Sequence, residues 1–440
     1  MDLLQVTMKS RERVLMSLEH KEPDRVPIDL GGMRSTGIMA IAYAKLKKYL
    51  KLTTGEIRVY DINQQLAEPE KEILELFSVD VIDINRSLPP AYPEQDIRWV
   101  EWKLPDGTPC KVPSEFYPSI APVTVIPSSP GKGKIRLVKD DKDGWALKWG
   151  EITWARMSKN SVYFTDVYHP LAKAESKKEI DEFFEGAYDK ELRYPYLMTK
   201  EDAESLRNRA KYLYEHTDYA LVGSFGGNFI ESSEFLMGYQ KFLLYTVRRK
   251  DLVEHLFDKL LDYYMENIKM WLDAVKDYIQ VIVFSDDPAT QTGPQISPKT
   301  YRELWVPHAK ELYGYVKKSS NLYILLHCCG AVYHLLNDMI DAGVDAINPV
   351  QISARFMEPE RLKKDFGDQL TFWGGGVDTQ NVLPHSNPRD IEEHVRKNIS
   401  IFASNGGFVF AAVHNITADV PPENIVAVFR AAKRYGLYPK

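Results

Sequence analysis

Cysteine is scarce in this 440-residue chain, with three residues, two of them adjacent at Cys328 and Cys329. That number and spacing cannot frame a disulfide-stapled fold, so the cysteines are candidates for chemistry or for core packing. No stretch approaches the ~18 consecutive apolar residues of an ordinary transmembrane helix. An excess of charge of one sign is missing too: 56 basic and 62 acidic residues leave a formal net charge of -6. Such a balance gives no basic footprint for nucleic acid or an anionic membrane. The first 25 residues are too charged for a secretory signal, and the chain reads as cytoplasmic.

What the chain does have is enough apolar sequence (44%) for a sizeable core, punctuated by short runs rich in Val, Ile and Phe. Eight such runs fall at Arg25–Leu30, Val79–Ile84, Tyr219–Phe225, Val281–Ser285, Tyr323–Cys329, Ala346–Gln351, Thr371–Gly376 and Phe408–His414. Helical patterns lie between them. Leu252, Leu256, Leu260 and Tyr263 share one helical face, Ser297-Pro298 opens a helix, and Gly343 ends one. Alternating strands and helices predict an α/β fold, a (β/α)8 TIM barrel, with residues 1–440 forming one domain. The second and third strands are far apart, which predicts an insertion at about 85–218. Its Trp-rich segments (Trp99-Val100-Glu101-Trp102, Trp145-Ala146-Leu147-Lys148-Trp149) predict β-structure there.

In such a barrel the chemistry sits at the C-terminal ends of the strands. Five consecutive strand ends carry polar groups: Asp286-Asp287, His327-Cys328-Cys329, Gln351, Asp378 and His414. His327 and Cys329, two apart on a strand, share a face, whereas Cys328 points to the helices. With His414 as third donor they would form an open zinc site of three ligands. Each residue also has a plainer reading. A lone His-x-Cys is a weak motif, and free cysteine is often buried. His414 could bind a carboxylate or stack under a ring. Asp287 is a candidate catalytic acid or base, or else a loop acid capping a helix. Gln351 and Asp378 are candidate substrate contacts, although the glycines before Asp378 suit a tight turn equally well. Arg34, on a glycine-containing loop, could clamp a carboxylate or phosphate, or form a surface ion pair. Asp61 is a candidate ligand or proton handler.

Several segments together resemble the uroporphyrinogen decarboxylase superfamily, which includes corrinoid-dependent methyltransferases. They are Ser10-Arg-Glu-Arg-Val-Leu with Lys21-Glu-Pro-Asp-Arg-Val-Pro27, Gln295-Ile-Ser-Pro-Lys-Thr-Tyr301, His327-Cys-Cys-Gly330 and Trp373-Gly-Gly-Gly-Val-Asp378. The last are His414-Asn-Ile and Pro421-Pro-Glu-Asn-Ile425. The resemblance implies the (β/α)8 barrel already read from the pattern. Within it, true decarboxylases carry two arginines for propionates in a Met-Arg-Gln-Ala-Gly-Arg segment. Here Met33-Arg34-Ser35-Thr36-Gly37 keeps one, and Ile38 stands in place of the second. The methyltransferase branch uses His-x-Cys plus a later cysteine as zinc ligands, a position taken here by His414. The resemblance therefore implies methyl transfer between a small methylated substrate, or a thiol acceptor, and a corrinoid (cobalamin) on a partner protein. Zinc would serve as the Lewis acid. The alternative is a metal-free carboxy-lyase in which Arg34 holds a carboxylate and Asp61 or Asp287 supports the protonated intermediate. A barrel that only binds a tetrapyrrole or a partner fits the polar strand ends less well. No nucleic-acid or membrane partner is expected, and a homodimer is left open.

Overall fold

The computed structural model describes residues 8–93, 97–114, 135–140, 144–149, 151–159, 161, 163–187 and 197–439. Its centre is an α/β arrangement around a curled sheet of seven parallel strands. In spatial order these are Phe408–Val409, Thr371–Trp373, Ala346–Asn348, Tyr323–His327, Val281–Ser285, Ala220–Gly226 and Val81–Asp83. Each strand neighbours the next one in the chain among these seven, as repeated strand–helix units require.

The period-two alternation of each strand separates two faces. Val81, Ala220, Val222, Val281, Val283, Leu325, Ala346, Trp373 and Val409 gather in one cluster with Val14 and Leu18 of the helix Ser10–Leu18. Their neighbours Ile82, Leu221, Ile282, Phe284, Ile324, Leu326, Ile347, Phe372 and Phe408 join the larger cluster against the flanking helices. The helix Lys250–Val275 buries Leu252, Leu256, Leu260 and Tyr263 as its apolar stripe predicts. Ser297 caps Pro298–Ser319 by accepting from Thr300 N, and Gly343 closes Leu336–Ala342 with a left-handed φ of 106°.

Seven of the eight expected strands take their places in this sheet. The eighth segment, 25–30, makes isolated bridges instead, pairing Ile28 with Phe410 in parallel. Asp29 N donates to Phe410 O, Phe410 N to Pro27 O, and Asp80 N to Ile28 O. The strands are also shorter than expected: Tyr323–His327 ends two residues before Cys329, and Phe408–Val409 ends well before His414.

Between the strands Val81–Asp83 and Ala220–Gly226, the chain forms separate antiparallel sheets. One pairs Trp99–Lys103 with Pro109–Pro113. The other holds Ile135–Asp140, Gly144–Trp149, Ile152–Met157 and Thr165–Asp166. The helix Lys200–His216 follows them. Phe164 N donates to Asn63 O, and Leu171 N donates to Leu236 O. These bonds fasten the larger sheet and its exit to the loop after Asp61 and to the helix Ile230–Met237. Among the described residues no helix is long and apolar enough to cross a membrane.

Candidate metal centre

His327 is the last residue of its strand, level in register with Ser285 on one side and Asn348 on the other. Cys329 lies in the loop beyond, so strand alternation alone does not aim it. Its backbone N–H donates to Asp287 Oδ1 at 2.7 Å, which fixes the turn, and its Sγ lies 3.5 Å from His327 Nε2. His414 completes the group from a left-handed residue (φ 65°) past the last strand. The His327 and His414 rings lie 5.5 Å apart between centroids, and one donor atom from each of His327, Cys329 and His414 falls within 4.8 Å of the others. Cys328 is buried in the cluster facing the helices, opposite to the site.

The electrostatics suit a cation. Burial first, then His327 and Arg34, push the His414 imidazolium down to about 3, so the ring is a neutral lone-pair donor. Burial raises the Cys329 thiol well above its ordinary value, with Asp287, Cys328 and Glu231 acting in the same direction. A buried thiol beside carboxylates stays protonated until a cation compensates its charge.

The two aspartates after Val281–Ser285 divide their work. Asp286 is buried and accepts from Phe229 N, Ile230 N, Glu231 N and Trp305 Nε1 at 2.9–3.0 Å, tying the start of the helix Ile230–Met237 to the sheet. Asp287 faces the donors, with Oδ1 3.9 Å from His327 Nε2. Arg34 ion-pairs with Asp61 at 2.5 Å, and its charge is felt by His414 and Glu231. Gln351 is buried with Oε1 accepting from Gly330 N at 2.7 Å, so it secures the turn after Cys329. Asp378 accepts from Gln380 N, Asn381 N and Asn381 Nδ2. The glycines before it serve close backbone packing: a Cβ on Gly374 would lie 2.1 Å from Pro349 O.

Sequence reading missed two acids on the helix Ile230–Met237. Burial, then Asp287, raises the Glu231 carboxyl, whose Oε2 accepts from Asn228 Nδ2 at 2.7 Å. Glu234 is pushed up to about 9 by burial, then by Asp286, Glu231 and Asp287. The signal that points to Glu231 is Gly226-Gly-Asn-Phe-Ile-Glu231, a further polar segment after the end of a parallel strand.

Residues 195–435 match the uroporphyrinogen decarboxylase (URO-D) family. The chain belongs to that family. It is also similar to the methylcobamide:CoM methyltransferase MtaA of Methanosarcina barkeri, 23% identical over 218 residues. That match covers 50% of this chain and 59% of the relative. The MtaA of Methanosarcina barkeri (strain Fusaro / DSM 804) is 22% identical with the same coverage, so the chain spans about three-fifths of the length of these relatives. In fold it resembles a methyltransferase from Methanosarcina mazei, with a TM-score of 0.57 at 14% identity, covering 97% of this chain and 99% of the other.

Proposed function

We propose that this URO-D family member is a zinc-dependent methyltransferase, moving a methyl group between a small methylated substrate or thiol acceptor and a corrinoid on a partner protein. The observation that carries this reading is the convergence of His327, Cys329 and His414 donors within 4.8 Å. A nitrogen–sulfur–nitrogen set from three protein ligands fits zinc with an open position, and the likeness to the MtaA proteins supplies the reaction class. Zinc bound there would polarise a methoxy or amine leaving group, or hold a thiolate acceptor.

The chain's own residues prepare that chemistry. His414 is held neutral by burial. Cys329 gives up its thiol proton as a ligand, while Asp287 holds the Cys329 backbone and faces His327 Nε2 to move protons at the centre. The Arg34–Asp61 pair lies at the same end and positions the substrate. The carboxy-lyase alternative needs Arg34 for a carboxylate, yet Asp61 already engages it. The bonds of Phe410 and Asp80 to segment 25–30 support reading the curled sheet as a closed (β/α)8 barrel, one domain whose mouth receives the corrinoid protein.

Elemental analysis of the purified chain beside Cys329→Ala tests the metal. About one zinc per chain, lost in the variant, is expected for a single three-ligand site. A wild-type chain that stays empty when zinc is offered overturns the reading.

A further inference from the structure

We propose that Asn348 is a positioning residue that fixes the tautomer and direction of His327, and that Ser35 extends this hold to the loop carrying Arg34. The inference rests on the zinc reading above and goes beyond it to a residue that touches neither metal nor substrate. Asn348 ends the strand Ala346–Asn348 beside His327 and is completely buried. Its neighbours determine which way the amide faces. The Trp373 carbonyl can only accept, and it lies 2.8 Å from Nδ2. Reversing the amide would set two carbonyl oxygens against each other. Oδ1 therefore faces His327 Nδ1 at 2.7 Å and Ser35 Oγ at 2.6 Å.

An amide oxygen only accepts, so His327 Nδ1 must carry the ring proton. The lone pair is then left on Nε2, the atom 3.5 Å from Cys329 Sγ. A ligating histidine needs such a partner on its other nitrogen, which sets both tautomer and ring orientation. The backbone of Asn348 joins in, its carbonyl accepting from Cys328 N at 2.7 Å. Ser35 is also next to Arg34, and two residues on, Gly37 N donates to Asn415 Oδ1 at 2.8 Å beside His414. One loop is thus hydrogen-bonded toward both histidines of the cluster.

The test is zinc affinity, measured by competition with a chromophoric chelator on the full chain, with absorption of the cobalt(II)-loaded protein as a second readout. Asn348→Ala is expected to weaken zinc about 10–100-fold, the range for losing such a partner, and to alter the cobalt spectrum. Asn348→Asp, whose carboxylate still accepts from His327 and Ser35, is expected to bind zinc at least as tightly as wild type. It should do so while melting lower, because the Trp373 carbonyl loses its donor. Asn424→Ala is the control. Asn424 is buried, donates to Leu383 O at 2.9 Å and Ser386 O at 2.8 Å, and among the described residues has no bond to His327, Cys329 or His414. It should lower the melting temperature without moving zinc affinity. Unchanged affinity in Asn348→Ala, or equal losses in Asn424→Ala, overturns the proposal. If Asn348→Ala does not fold, a tenfold weaker Asn348→Asp overturns it. A wild-type chain that takes no zinc removes the metal reading, and this inference with it.

Discussion

Zinc uptake at the His327–Cys329–His414 cluster should release about one proton per chain near pH 7.5, since a single thiol must ionise. The proton comes from Cys329, whose thiol is held well above its ordinary value, chiefly by burial and then by Asp287. Zinc takes the thiolate, so the proton has to leave as the metal enters. His414 contributes none, because burial and the charges of His327 and Arg34 hold its imidazolium down to about 3. The sign follows directly. Raising the pH removes competing protons, so binding tightens upward, by about tenfold or ~1.4 kcal/mol per pH unit for one proton. Calorimetric titration with zinc in buffers of different ionisation enthalpy counts the protons, and chelator competition between pH 7 and 8.5 gives the slope. Release of no proton would mean that Cys329 is already a thiolate before metal arrives. That result refutes the argument from burial.

Two further predictions concern the scaffold. Cys328→Ala should leave zinc stoichiometry unchanged and cost ~1 kcal/mol by urea unfolding, the cost of a sulfur-sized cavity among helix-facing side chains; loss of metal would contradict the opposed facing of the two cysteines. Gly374→Ala should destabilise by about 2 kcal/mol or more, since φ is 131° and the new Cβ would lie 2.1 Å from Pro349 O. A melting temperature equal to wild type would instead favour a ligand-facing role for this glycine run.

The parallel strands were legible because their apolar runs are period-two segments bounded by helices with visible caps, as at Ser297-Pro298 and Gly343. Segment 25–30 has the same apolar look, but its bonds are divided between Asp80 on one side and Phe410 on the other, and it forms bridges without a ladder. The three candidate metal donors could be named from position at strand ends, but strand alternation does not aim Cys329. The strand stops at His327, and a bond from the Cys329 backbone to Asp287, 42 residues earlier, sets the turn. His414 owes its direction to a left-handed backbone that no residue pattern announces. Asn348 and Glu231 were missed for a related reason. An asparagine at a strand end and a glutamate in a helix's first turn look ordinary until tertiary neighbours enclose them.

That enclosure bears on the choice between methyl transfer and decarboxylation. An enzyme that receives a carboxylate needs an uncommitted cation where the substrate sits. Arg34 is a cation at this end, and it is paired with Asp61, its charge also acting on Asp166 of the antiparallel sheet. Asp287, Glu231 and Glu234 crowd the other side, and burial together with mutual repulsion keeps protons on the two glutamates. Such surroundings hold proton-bearing acids near the centre, which suits a heteroatom that must be protonated as it loses its methyl group. A proton-bearing acid at the centre and an arginine already engaged by Asp61 serve methyl transfer better than the admission of a carboxylate, and on this balance methyl transfer is the reading we propose for the site as it is built.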